Sequence, residues 1–188
     1  MKHNLKVTRM ICNILLCSML LLTGCSGEDK NGSMKAEDGR SYGGIIQTDM
    51  KDTVNTAFFE MKINSVSKRS TYQFKEGLYE AGTGNTYLIV DVTITNTFQK
   101  DLPMSITDFT LDFEGNDEQQ VITGFGNTDL HQEKFMDNLF TLKEGESITK
   151  SILFSVKDAE EYILRYEEYY EDGFEGDCYE VILSEIEG

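Results

Sequence analysis

The sequence predicts an all-β domain, an antiparallel β-sandwich, over residues 53–188. Two observations carry that prediction. Several runs alternate apolar and polar residues with period two, the mark of strands that bury one face. Glycine-containing turns separate those runs at short intervals, as sandwiches require. Ahead of the domain the composition changes twice. Residues 1–24 read as a targeting segment and residues 25–52 as a flexible linker ahead of the domain.

The targeting segment begins with Lys2, Lys6 and Arg9 and contains no acidic residue. A mostly apolar run, Ile11–Leu22, follows. As a helix it would extend roughly 18 Å, short of the ~30 Å hydrocarbon core, so it suits a signal peptide rather than a lasting span. The border stretch "LTGC", Leu22–Cys25, closely resembles the bacterial lipobox. The resemblance implies a diacylglyceryl group on the Cys25 sulfur and cleavage between Gly24 and Cys25. Two acyl chains hold a protein firmly where one holds it marginally. The expected location is therefore the extracytoplasmic face of the cell membrane, with the lipid on Cys25 as the membrane attachment.

Ser26 to about Asp52 is rich in Gly, Ser and charge and poor in large apolar residues, a composition expected to stay unfolded. A coil of that length reaches about 30 Å. It would lift an acidic domain off an acidic surface by about three Debye lengths.

The strands follow in order. "TAFFEMKINSV" supplies a first strand. In "NTYLIVDVTITNT", Leu88, Val90, Val92 and Ile94 share one face and Asp91, Thr93 and Thr95 the other. "FTLDFEGN" turns Phe109, Leu111 and Phe113 inward. "SITKSILFSV" does the same with Ile148, Ile152, Phe154 and Val156, while Lys150 interrupts the series and is expected near a strand end. "CYEVILSEI" supplies the last strand. Turns are expected at 82–85, 114–117, 143–146 and 171–177. Two segments stay open. Residues 129–139 could form a short helix in an insert. "KDAEEYILRYEEYY" fits a helix capped by Asp158 and Glu161, and equally a strand face of Tyr162, Leu164, Tyr166 and Tyr170.

Three stretches together, "YLIVDVTITN" (87–96), "FTLDFEGN" (109–116) and "LKEGESITKSILFSV" (142–156), resemble the bacterial domain of unknown function 4352, found in many surface lipoproteins. The resemblance covers roughly residues 53–187. It implies an immunoglobulin-like β-sandwich, related to the mycobacterial immunoprotective extracellular protein, and makes Tyr162 to about Tyr170 a strand. It implies no catalytic residue, because the family has no common activity. The insert from Gly124 to Asn138 departs from the family pattern.

Charge excludes one class of partner. Removing residues 1–24 leaves 14 basic against 33 acidic residues, a formal charge of −19. Such a surface repels phosphate backbones, so nucleic acid is not an expected partner. Chemistry is sparse too. Beyond the targeting segment stand one histidine, His131, and the thiols Cys25 and Cys178. With Cys25 acylated, no internal disulfide can form. A Cys178–His131 dyad would have to join the insert to the last strand, and nothing nearby in sequence activates the thiol. Zinc has too few nitrogen and sulfur ligands here. No cofactor and no catalytic turnover are expected.

Calcium is the strongest of the metal options. "DFEGNDE" sets Asp112, Glu114, Asp117 and Glu118 around a turn, and hard cations want several carboxylate oxygens. Asp117 nevertheless stands where an EF-hand needs glycine. Glu171, Asp172, Glu175 and Asp177 form a second acidic turn. Solvated hairpin tips explain both. Tyr162, Tyr166, Tyr169, Tyr170 and Tyr179 either fill the core or form an aromatic patch for a protein or glycan. The expected function is a lipid-anchored extracellular binding module. The alternatives are a structural or protective envelope lipoprotein without a dedicated ligand and, more remotely, an envelope hydrolase or calcium-dependent protein.

Overall fold

The computed structural model describes residues 32–74, 77–113, 119–125, 128–129, 134–184 and 186–187. In chain order their strands are β1 (Met34–Lys35), β2 (Ser41–Tyr42), β3 (Ile45–Asp49), β4 (Thr53–Asn55), β5 (Phe59–Arg69), β6 (Thr71–Phe74), β7 (Gly77–Glu80), β8 (Asn85–Asn96), β9 (Leu102–Ser105), β10 (Phe109–Phe113), β11 (Gln119–Gln120), β12 (Gly124–Phe125), β13 (Thr128–Asp129), β14 (Leu139–Leu142), β15 (Ser147–Lys157), β16 (Tyr162–Tyr169) and β17 (Glu175–Leu183). A 3-10 turn, Ile106–Asp108, is capped by Ser105. Among the described residues no helix is long and apolar enough to cross a membrane.

Two sheets face each other. One is ordered β15-β8-β5-β4 and the other β11-β10-β16-β17-β3. Alternation explains the packing. Val90, Val92 and Ile94 of β8, with Ile152 and Phe154 of β15, meet Phe109 and Leu111 of β10, Leu164 of β16 and Val181 of β17 in one core. Phe59 of β5 reaches across to Tyr166, ring centroids 4.7 Å apart. Each such burial is worth about 1.5–3 kcal/mol. The sandwich predicted from the sequence is therefore the observed fold.

The tyrosine-rich segment is a strand. Tyr162, Leu164 and Tyr166 point inward from β16 with period two. The Tyr162 hydroxyl donates to the Lys157 carbonyl at 2.7 Å and accepts from the Ala159 amide at 3.0 Å. This ties the β15–β16 connection in the manner of the tyrosine corner of immunoglobulin-like sandwiches. Lys150, expected near a strand end, is instead the fourth of the eleven residues of β15, paired opposite Val92 and half-buried.

Both faces of the four-stranded sheet are used. Tyr87 and Ile89 of β8 and Leu153 of β15 point away from the main core, yet all three are buried. Phe74 from the β6–β7 hairpin and Phe135 cover them in a second cluster.

Among the described residues of the segment 129–139, which exclude 130–133, no helix is seen. Thr128–Asp129 pairs with Gly124–Phe125, and Phe135 bridges Ser151 in parallel. The Met136 amide donates to the Ser151 carbonyl, and the Ser151 amide to that of Lys134. Extended backbone here satisfies the open edge of β15, and two adjacent buried side chains, Phe135 and Met136, anchor it.

A larger correction concerns the linker. Residues 33–52 were expected to stay unfolded, but they fold onto the domain. Met34–Lys35 pairs with Ser41–Tyr42, and β3 lies parallel to β17, Ile45 opposite Cys178 and Ile46 opposite Tyr179. The low average hydrophobicity of the segment hid what holds it: backbone pairing to a sheet edge, one arginine and a buried carboxylate.

Candidate functional site

The N-terminal segment is fastened by the second acidic turn. Arg40 Nη1 donates to Asp172 Oδ1 at 2.9 Å while Nη2 lies 2.9 Å from Oδ2, a bidentate pair. Its Nε donates to Asp38 Oδ2 at 2.7 Å. The guanidinium also stacks on Phe174, 4.1 Å from the ring centroid, and on Tyr170, 4.8 Å away. Hydrogen bonds from Arg40 hold Asp38 and Asp172 below the ordinary carboxylate value. Deeper in, Asp177 is buried and accepts the Gly44 amide at 2.8 Å. A side chain at Gly44 would strike Ser33 and Asp177. Asp172 and Asp177 are thus committed to protein groups, and Glu171 and Glu175 are exposed.

The rings that carry Arg40 continue as a row. Tyr42 meets Phe174, Phe174 meets Tyr170, Tyr170 meets Phe58, and Phe58 meets Phe98, with centroids 4.8–5.8 Å apart. Part of this row forms one wall of a cleft of about 430 Å³. Leu102, Pro103 and Met104 of β9 line it as well. Charged groups surround it: Lys100 and Asp101 before β9, Asp108, and Glu167 and Glu171 from the end of β16.

A buried carboxylate lies behind the cleft. Glu168 follows the inward series of β16, beside a register shift, and is 1% exposed. It accepts the Ala57 amide at 2.6 Å and the Tyr179 hydroxyl at 3.0 Å. Burial, with Glu168 adding to it, pushes Tyr170 up to about 12 and Tyr179 higher still.

The structure sorts the residues singled out from the sequence. Tyr162, Tyr166 and Tyr179 are buried, whereas Tyr169 is exposed and Tyr170 half-buried in the cleft wall. Cys178 is buried on the outer face of the five-stranded sheet. Burial raises its thiol pKa against the opposing pull of Arg165, whose Nη2 lies 3.5 Å from Sγ. Asp112 lies on β10 opposite Ile163. Cys25, His131, Glu114, Asp117 and Glu118 lie outside the described residues. Among the described residues no three His, Cys, Asp or Glu side chains are placed to share a metal ion. Arg40, Phe58, Phe98 and Phe174 escaped the sequence reading. The paired isoleucines of "IIQTD" and a lone arginine within an acidic stretch were the available signals.

The family match and two solved structures that superpose with TM-scores above 0.5 agree with this fold. Residues 48–175 match the model of the family described as "Domain of unknown function (DUF4352)". A "putative lipoprotein (ycdA)" of Bacillus subtilis superposes with a TM-score of 0.51 at 20% identity, over 71% of this chain and 38% of that one. The yjhA protein of Bacillus subtilis gives 0.51 at 14% identity, over 74% of this chain and 98% of that one. The secreted protein MPT63 of Mycobacterium tuberculosis gives 0.49 at 10% identity, over 72% and 96%. Comparison with curated proteins gives no match. The match over residues 48–175 takes in the whole four-stranded sheet and β10, β11 and β16 of the facing one, and the chain accordingly belongs to the DUF4352 family of β-sandwich domains.

Proposed function

We propose that the protein is a lipid-anchored binding module of the bacterial cell surface, held at the extracytoplasmic face by acyl chains on Cys25 and receiving its ligand in the aromatic cleft. The cleft is the observation that carries this reading. Its volume falls in the range of small-ligand sites, and it combines ring faces with a few charged groups, the mixture that gives such sites affinity and orientation. The "LTGC" border supports the anchor. Binding rather than turnover suits the chemistry of the cleft. Its arginine is already paired, and burial shifts Tyr166 and Tyr170 away from, not toward, ionisation.

Two measurements test this. Intact mass of the membrane fraction should show acyl addition that Cys25→Ser abolishes; an unmodified wild-type mass would refute the anchor. A photo-crosslinking amino acid at Asp101, on the cleft rim, should capture a saturable partner in intact cells. The same group at Thr149, on the outer face of the other sheet, should not. Equal capture at both positions would remove the cleft as the site.

A further inference from the structure

The cleft also suggests what it binds. We infer that its ligand is a basic peptide segment, a Lys or Arg side chain beside an apolar one. This rests on the reading of the cleft as a ligand site.

Arg40 supplies the first argument. The wall shared with the cleft already holds one guanidinium, stacked on Tyr170 and Phe174 and flanked by Asp38 and Asp172. Aromatic faces attract cations electrostatically, and carboxylates beside them add directional acceptors. The same two ingredients extend beyond Arg40. Phe98 and Tyr170 offer ring surface backed by the buried Phe58, while Asp101, Glu167 and Glu171 stand on the rim as exposed carboxylates against Lys100.

The second argument is charge complementarity. The chain carries a formal charge of −16, so acidic ligands are repelled over the whole approach and basic ones are steered in. The third is shape. Leu102, Pro103 and Met104 give one side an aliphatic lining that suits an apolar side chain next to the cation. A neutral sugar would leave the rim carboxylates without a counter-charge, and a polyanionic glycopolymer would be repelled. A peptide with mixed basic and apolar residues satisfies both parts of the lining.

The test uses the mature chain in detergent micelles and two fluorescein-labelled peptides, Phe-Arg-Leu-Lys and Phe-Glu-Leu-Glu, followed by anisotropy. The basic peptide should bind saturably, more weakly as salt rises, and the acidic one should not. Asp101→Lys with Glu171→Lys should weaken the basic peptide by about tenfold, and Phe98→Ala by a similar factor. Lys100→Glu leaves the apolar lining intact and should tighten it several-fold. Thr149→Lys, away from the rim, should change little. Equal binding of both peptides, or basic-peptide binding that ignores the rim and Phe98 variants, would overturn the inference. If crosslinking at Asp101 captures its partner while neither peptide binds, the cleft stands as a site and the basic-peptide assignment fails. Binding of a neutral chito-oligosaccharide that Phe98→Ala abolishes, with no peptide binding, would replace it with a glycan.

Discussion

Arg40 and Asp172 stand 132 positions apart in the chain and meet through two contacts of 2.9 Å. The pair ties the segment that follows the expected lipid attachment to the β16–β17 turn and to the wall of the cleft. Arg40→Ala should release this clasp. Asp172 is well exposed and Arg40 is about a quarter exposed, so solvent screens the pair and global stability should change little. Local opening should not: amide hydrogen exchange across residues 33–44 should accelerate, with the core of β8 unaffected. Unchanged exchange there would show that β3 pairing holds the segment without the arginine.

Acid should loosen the same clasp. Arg40 lowers the pKa of Asp38 and of Asp172 relative to the usual 3.8. A carboxylate with a depressed folded value contributes stability above its unfolded value and loses it as pH falls through the folded one. The segment should therefore stay docked in mild acid and open below about pH 3.8, and Asp172→Asn should show less of this pH dependence. Hydrogen exchange of residues 33–44 against pH measures both. Opening that begins near neutral pH would contradict the assignment.

Glu168 should matter more to stability than any surface ion pair. It is the acceptor for the Ala57 amide and the Tyr179 hydroxyl inside the protein. Glu168→Ala would strand a buried donor, at a cost of about 1–3 kcal/mol per group. Glu168→Gln keeps an acceptor and should cost less. Urea denaturation of both variants decides it, and equal losses would show that packing against Gly176 rather than hydrogen bonding carries the effect.

The contrast between Glu168 and Val92 shows what the sequence could reveal. Val92, Phe109 and Leu111 were legible because their burial follows the two-residue period of the strand that bears them. Tyr162 was ambiguous by period and is settled by a hydroxyl that reaches back to Lys157. Ile45 and Arg40 were read as linker because a parallel edge strand needs no apolar alternation when its partner, β17, supplies the hydrogen bonds. The row from Phe98 to Tyr42 draws its five rings from four separate stretches of chain, and no local pattern encodes such a juxtaposition. The acidic turn at 171–177 looked like cation chemistry, and it is, with Arg40 as the cation.

The β6–β7 hairpin should behave as part of the core rather than as a loop. Phe74 is 2% exposed and touches the rings of Tyr87 and Phe135. Phe74→Ala should cost about 3–5 kcal/mol, because it opens a cavity over the outer face of β8. A loss below 1 kcal/mol in urea titration would mean that the hairpin collapses to refill the space.

Calcium should act on this protein no differently from magnesium. Asp112 lies on a flat strand with Ile163 opposite, whereas calcium takes 6–8 oxygens from a loop that can wrap it. A true site would stabilise the fold by RT ln(1 + [L]/Kd), ~2.7 kcal/mol at a hundredfold excess over Kd. For a domain of this size that is a rise in melting midpoint of roughly 5–10 °C. Screening of a strongly acidic surface also raises the midpoint, but magnesium at equal ionic strength would match that rise. Melting in millimolar calcium and in magnesium, with Asp112→Asn beside the wild type, separates the two. The expected outcome is equal shifts with both ions and little change in the variant. A calcium-specific rise that disappears in Asp112→Asn would instead make Asp112 and the acidic residues that follow it a metal site.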